Sequence, residues 1–200
     1  MARKKDQEAK RLVLGEAVRR AVLTRGLEGV RLRDIAEHAG VTPAAVLYYG
    51  DVDALTYDTY QQAIERFSLD RERVAEKFAD ARDRLRASID HGVASGPDDE
   101  LVRLLFEFYP RSLRDPKAAA LDSSLTERQI AVYSAIFVLG ETQGHFTLVD
   151  PPRLLAGNVV AMEDGYQMEL LSGRRTRDEV KGCLFSYARA VTGCDIGGAP

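Results

Sequence analysis

Apolar residues recur at three- and four-residue intervals through most of the chain, and no segment alternates with period two. That pattern predicts helices and no strands. The first helix spans about 7–25, with Leu12, Val13, Ala17, Ala21 and Val22 inward and Arg11, Arg19, Arg20 and Arg25 outward, and Gly26 ends it. A short second helix follows, with Leu32, Ile35, Ala36 and Ala39 on one face. Gly40 stands where a helix closes in the left-handed conformation, which glycine adopts cheaply. Val41 is expected to turn inward, Thr42 to cap a third helix, and Pro43 to occupy its first position, where no amide donor is needed. This order of parts is a helix-turn-helix, whose second member commonly lies in the DNA major groove. Asp51 can cap a fourth helix and Asp53 suits its positive end, and this helix is expected to run to about Phe67.

Beyond it, residues 71–92 read as one amphipathic helix stopped at Gly92, and 94–100 as a loop. Residues 101–115 read as a helix disturbed by Pro110. A long helix over 117–144 carries Leu121, Leu125, Val132, Ile136 and Leu139 on one face, and Pro151-Pro152 break the chain before the next. Residues 152–172 are apolar on nearly every side, residues 176–193 form a last amphipathic helix, and the final DIGGAP reads as a loose tail. The expected fold is all-α: a three-helix helix-turn-helix head over 1–52, a connecting helix over about 52–67, and a helical-bundle body over 68–200, about nine helices in all. A helix apolar all round needs partners on both sides. For 152–172 these are the body's own core and either more of that core or a second subunit. A homodimer is expected, because one head offers DNA a single short helix and two double the contact.

Composition changes this picture little, and charge distribution changes it more. The net charge is −3, yet residues 1–50 hold ten Lys/Arg against six Asp/Glu, and the remainder eighteen against twenty-five. A basic head on an acidic body suits a DNA-binding module joined to another function. Candidates for phosphate contact are Arg3, Lys4 and Lys5 in the N-terminal arm and Arg31 and Arg33 at the front of the second helix; a solvated tail is an equal reading for the arm. No window reaches the roughly 18 apolar residues of a membrane span. The charged start lacks the apolar core of a signal peptide, and Cys183 and Cys194 are too few to staple a scaffold. A cytoplasmic location, on the nucleoid when bound to DNA, is expected, with no membrane partner.

Over about residues 11–57 the chain resembles the TetR family of bacterial transcriptional regulators. Gly29, Asp34, Ile35, Ala36, Ala39, Gly40 and Val41 match that family's Gly-x-x-x-x-Asp-Ile-Ala-x-x-Ala-Gly-Val segment, and Tyr49 to Leu55 resembles its Phe-Pro-Ser-Lys-Glu-Ala-Leu. The resemblance implies a DNA-binding head, a body holding a small-molecule pocket whose occupation releases DNA, and a four-helix dimer interface from the final two helices of each subunit. It also implies a core position for Tyr49 and phosphate contact for Tyr48. Two departures stand out. Matching both flanks leaves the third helix one residue short, which turns the flanks by about 100° relative to each other. Val52 replaces a lysine that in many relatives touches phosphate. The leading residues of the third helix, Thr42, Pro43, Ala44 and Ala45, offer one hydroxyl and small apolar groups, and none can make a bidentate base contact. Direct base readout is expected to be modest, with Arg33 and DNA shape contributing more.

In the body, Phe78, Phe106, Tyr109, Tyr133 and Phe137 are pocket candidates, with Phe108 also available, as are Met162, Glu163 and Tyr166. Plain core packing accounts for most such residues. Glu163 stands in an otherwise apolar helix, where it would bind a cation, pair with an arginine or face water. Gly157, Ala161, Gly165, Met168 and Leu184 are dimer-interface candidates. Catalysis finds little support: His38, His91 and His145 lie in different segments without metal-ligand spacing, and no cofactor motif, phosphate loop or nucleophile elbow is present. The sequence therefore predicts a dimeric DNA-binding regulator, a repressor released by a small apolar or amphipathic ligand. The alternative is a DNA-binding dimer whose body mediates protein contacts, and an all-helical enzyme is remote.

Overall fold

A computed structural model describes residues 2–196, with side chains from residue 10 onward. Nine α-helices and one 3-10 turn make up the described residues, with no strand: α1 (Ala2–Arg25), the 3-10 turn Leu27–Gly29, α2 (Leu32–Ala39), α3 (Pro43–Leu47), α4 (Val52–Glu76), α5 (Ala81–Gly92), α6 (Glu100–Ser112), α7 (Pro116–Thr142), α8 (Pro152–Leu171) and α9 (Arg177–Thr192). The all-α reading holds. The chain divides into two compact units, one of Met1–Glu65 with Glu100–Asp122, the other of Arg66–Asp99 with Ser123–Pro200. The tail residues 197–200 lie outside the described residues.

In the first unit, α1 packs on α2, and α2 on α3. Val18, Ala21, Val22, Ile35, Ala36 and Val46 are its buried centre. The inward expectation fails for Leu12 and Val13, which are 70% and 55% exposed, and for Val41, which is also exposed. Val13 and Val41 line an open apolar cleft of the head rather than its packed interior. The segment 100–122, expected to belong to the body, groups with the head instead. The reason is local: the Phe108 ring stacks on Tyr60 at 4.2 Å between centroids, and Glu107 accepts from the Leu27 amide at 3.2 Å. Arg111 pairs with Asp53, and Tyr57 donates to Asp115. Pro110 lies inside α6, two residues before its end at Ser112, where it removes one amide donor from the helix without breaking it.

In the second unit, the stretch 71–92 is not one helix. Helix α4 runs on to Glu76, nine residues past the expected end at Phe67, and α5 begins only at Ala81. Asp80 makes the break by capping α5, accepting from the Arg82 amide at 2.8 Å, and an Asp at that position ends one helix by starting the next. Helix α8 packs on α9, and α5 on α9. Leu85, Ile89, Ile136, Phe137, Leu155 and Val160 lie in the buried interior. Thr176 and Glu179 form a reciprocal capping box at the start of α9.

Gly140 shows how closely this interior is packed, since a Cβ built on it would lie 1.9 Å from the Phe146 ring. Gly140→Ala is expected to cost about 1–3 kcal/mol by forcing that ring aside, read as a lowered urea midpoint with an unchanged slope. An unchanged midpoint would show that the Phe146 contact is loose.

Candidate nucleic-acid interface and buried polar cluster

The helix-turn-helix is built from backbone chemistry that the residues dictate locally. The Arg31 amide donates to Asp34 Oδ2 at 2.9 Å, so the buried Asp34 carboxylate fixes the first turn of α2. Arg25 lies 3.8 Å from its other oxygen. Gly40 closes α2 at φ 66° and ψ 32°, the left-handed region in which a side chain would be strained. The Val41 amide then reaches back to the Ala36 carbonyl at 3.0 Å. Thr42 Oγ1 accepts from the Ala45 amide at 3.3 Å, and Pro43 takes the first position of α3.

Helix α3 is five residues long, about 7.5 Å at the usual rise. Val46 alone among them points into the core, while Thr42, Pro43, Ala44, Ala45, Leu47 and Tyr48 are all exposed. Tyr48 is 77% exposed. Tyr49 packs edge-on against Tyr48 at 5.3 Å and is half-buried rather than enclosed in the core as the resemblance implied. It borders an apolar cleft of about 380 Å³, lined also by Val13, Leu14, Ala39, Val41 and Ala45 with Lys10. Arg31 and Arg33 are exposed at the start of α2. The side chains of Arg3, Lys4 and Lys5 lie outside the described residues. Near the turn the head thus presents two exposed arginines, one hydroxyl, a projecting phenol and a small-residue helix start. Such a surface can approach a phosphate backbone and a groove floor closely, with few groups able to hydrogen-bond base edges.

The proposed pocket residues do not converge. Phe78 and Tyr109 are surface side chains, 39% and 50% exposed, because each falls beside a helix end where no neighbour covers it. Phe106 and Tyr109 belong to the first unit, and the other candidates to the second. Phe106, Met162 and Tyr166 are half-buried, and Phe137 is fully buried. Two of the candidates do meet, around a residue that sequence reasoning missed. Arg71 of α4 and Glu163 of α8 are 2% and 1% exposed, and Arg71 Nη2 lies 3.1 Å from Glu163 Oε2. The Tyr133 hydroxyl of α7 donates to Glu163 Oε1. Burial pushes the Glu163 carboxyl up from its ordinary value, against the pull of Arg71 and Tyr133. Burial likewise pushes the Tyr133 phenol up. The guanidinium carbon sits 5.5 Å from the Phe67 ring centre and 5.2 Å from that of Tyr133. The one available signal for Arg71 was Glu163 itself, an acid in an apolar helix that required a cation. No group of three or more His, Cys, Asp or Glu is placed to hold a metal among the described residues.

Among the dimer-interface candidates, Ala161, Gly165 and Met168 are exposed along α8 together with Leu154, and Gly157 is half-buried beside them. Leu184 drops out: it is 1% exposed within the single chain, on the face of α9 that packs inward.

Two substitutions test these local arguments. Thr42→Ala removes the α3 cap and is expected to cost about 1 kcal/mol, read by chemical denaturation. Glu163→Ala strands a buried guanidinium and is expected to cost about 3–5 kcal/mol. A loss under 1 kcal/mol in the second would show that water reaches Arg71.

No family model and no curated protein matches the chain. Solved structures do match it. A TetR transcription regulator from Haloarcula marismortui has a TM-score of 0.83 at 21% identity, covering 92% of this chain and 99% of that one. A protein from Saccharomonospora viridis named as a transcriptional regulator, solved in complex with choline, has a TM-score of 0.82 at 22% identity, covering 92% and 96%. The transcriptional regulator FadR from Bacillus subtilis, in complex with stearoyl-CoA, has a TM-score of 0.71 at 14% identity, covering 88% and 98%. Helix order, the capped turn and these likenesses together give one conclusion: this chain has the fold of the TetR-family transcriptional regulators.

Proposed function

We propose that the chain is a dimeric, sequence-selective DNA-binding transcriptional regulator, a repressor that a small molecule releases from DNA. The observation that carries the reading is the exposed start of α3, held rigid by the Gly40 closure and the Thr42 cap, with Arg31 and Arg33 exposed nearby. A helix start presented in this way suits the major groove, and its small side chains let the backbone come close to the bases. With few base-reading groups, selectivity draws on the deformability and groove width of the duplex. The regulators of similar fold include one in complex with choline and one in complex with stearoyl-CoA, which supports a small-molecule effector; the second unit, which lies apart from the helix-turn-helix in the chain, is read as the sensing half. A ligand acts there by binding one conformation better than another. The exposed row Leu154, Ala161, Gly165 and Met168 on α8 is the surface best suited to a second subunit.

Selection from random duplexes is expected to return a short two-fold site, without strictly required G positions opposite α3. Recovery of such G positions would contradict the limited direct readout. Arg33→Ala is expected to weaken binding evenly across sequences and to reduce the salt slope by about two phosphate contacts per dimer, one from each subunit. Ala161→Glu places a charge in the α8 row and is expected to convert dimer to monomer in sedimentation. A variant that stays dimeric would move the interface elsewhere.

A further inference from the structure

The exposed side chains of α3 and its end fall into an ordered arrangement. Val46 is buried, and successive residues of a helix turn by about 100°. The side away from Val46 is therefore formed by Ala44, Leu47 and Tyr48, at positions three and four apart. All three are exposed, Leu47 at 57% and Tyr48 at 77%. Ala45 turns to the other flank, where it lines the apolar cleft. The side chains of the stripe carry one polar atom, the Tyr48 hydroxyl, and Leu47 is its largest purely apolar group. At the front of the helix, the Thr42 hydroxyl already accepts from the Ala45 amide at 3.3 Å. Single exposed leucines are ordinary on protein surfaces, but this one stands on the face that α3 turns outward.

The bases decide what such a stripe can read. In the major groove guanine offers two acceptors, adenine an acceptor and a donor, cytosine a donor, and thymine an acceptor with its C5 methyl. The methyl is the one apolar group among them. An isobutyl group set against a polar edge strips water from it and returns no hydrogen bond, which costs free energy. Against a methyl, the same group buries apolar area on both partners. Ala44, one turn before Leu47, has no side-chain atom beyond Cβ to hold the helix off the groove floor. We propose that Leu47 is a specificity-determining residue that reads the C5 methyl of thymine, with Ala44 letting it approach, so that thymines rather than guanines mark the site. This rests on the reading of α3 as the helix that enters the major groove. It adds to shape readout a direct contact made without a hydrogen bond.

The test starts from a duplex selected by the full chain out of random sequence. Each thymine of a half-site is replaced in turn by uracil, which keeps the hydrogen-bonding edge and lacks the methyl. At the position that Leu47 reads, the loss is expected to be about fourfold per methyl, hence roughly fifteenfold when both half-sites are changed. There 5-methylcytosine is expected to bind better than cytosine by a similar factor, although both present a donor where thymine presents an acceptor. Leu47→Ala, at an exposed position, is expected to weaken binding to the thymine duplex and to erase its advantage over the uracil duplex. Equal binding of thymine and uracil duplexes, a selected half-site without thymine, or a uracil penalty that persists in Leu47→Ala would overturn the proposal. Selective binding that ignores uracil would leave the regulator reading standing, whereas no selective binding would overturn both.

Discussion

A guanidinium taken out of water must be met by a counter-charge, and much of the second unit is arranged around that requirement at Arg71. Desolvation on this scale is tolerated only where the partner is close and itself held in place. Glu163 supplies the charge from α8, Tyr133 orients the carboxylate from α7, and Gly92 lets the end of α5 come near enough to close the site. Four helices thus share one polar centre, and none of its members can be altered without leaving another exposed to an unfavourable field. The same helix that carries Arg71 begins in the first unit at Val52, where Tyr57 and Tyr60 tie it to Asp115 and Phe108. Helix α4 is therefore anchored in both units by side chains with specific partners.

The head depends on a different kind of constraint, satisfied almost wholly within the local chain. Asp34 fixes the start of α2, Gly40 turns the chain, and Thr42 restarts it. Two of these are side-chain oxygens accepting from backbone amides and the third is a glycine turn, so all three act within a few residues of the turn. The α3 that follows, Pro43-Ala44-Ala45-Val46-Leu47, carries no side chain able to hydrogen-bond.

The parts legible in the sequence are those governed by neighbours in the chain. The closure at Gly40, the caps at Thr42 and Asp51, and the long apolar α8 all follow from spacing and residue type. The break at Asp80 was missed because apolar periodicity runs on through 71–92, and only the capping role of Asp80 separates α4 from α5. Leu12, Val13 and Val41 were misplaced for the opposite reason, since helical spacing says which residues share a face but not whether anything covers it. The membership of α6 in the head depended on Phe108 meeting Tyr60, a contact 48 positions apart in the chain. Arg71 was invisible for a related reason: in its own segment it resembles the solvated arginines around it. At the candidate site the residues around the turn could be listed beforehand from their local roles, whereas the buried cluster required knowing which helices adjoin.

The claim on which the account rests is that the capped α3 start reads DNA. The most direct test is binding of the purified full chain, at two salt concentrations, to the DNA upstream of its own gene, with a scrambled duplex as control. Tight binding that weakens steeply with salt yet stays selective over the scrambled duplex is the predicted result. Equal binding to both duplexes at each salt concentration, or none at low salt, would contradict it.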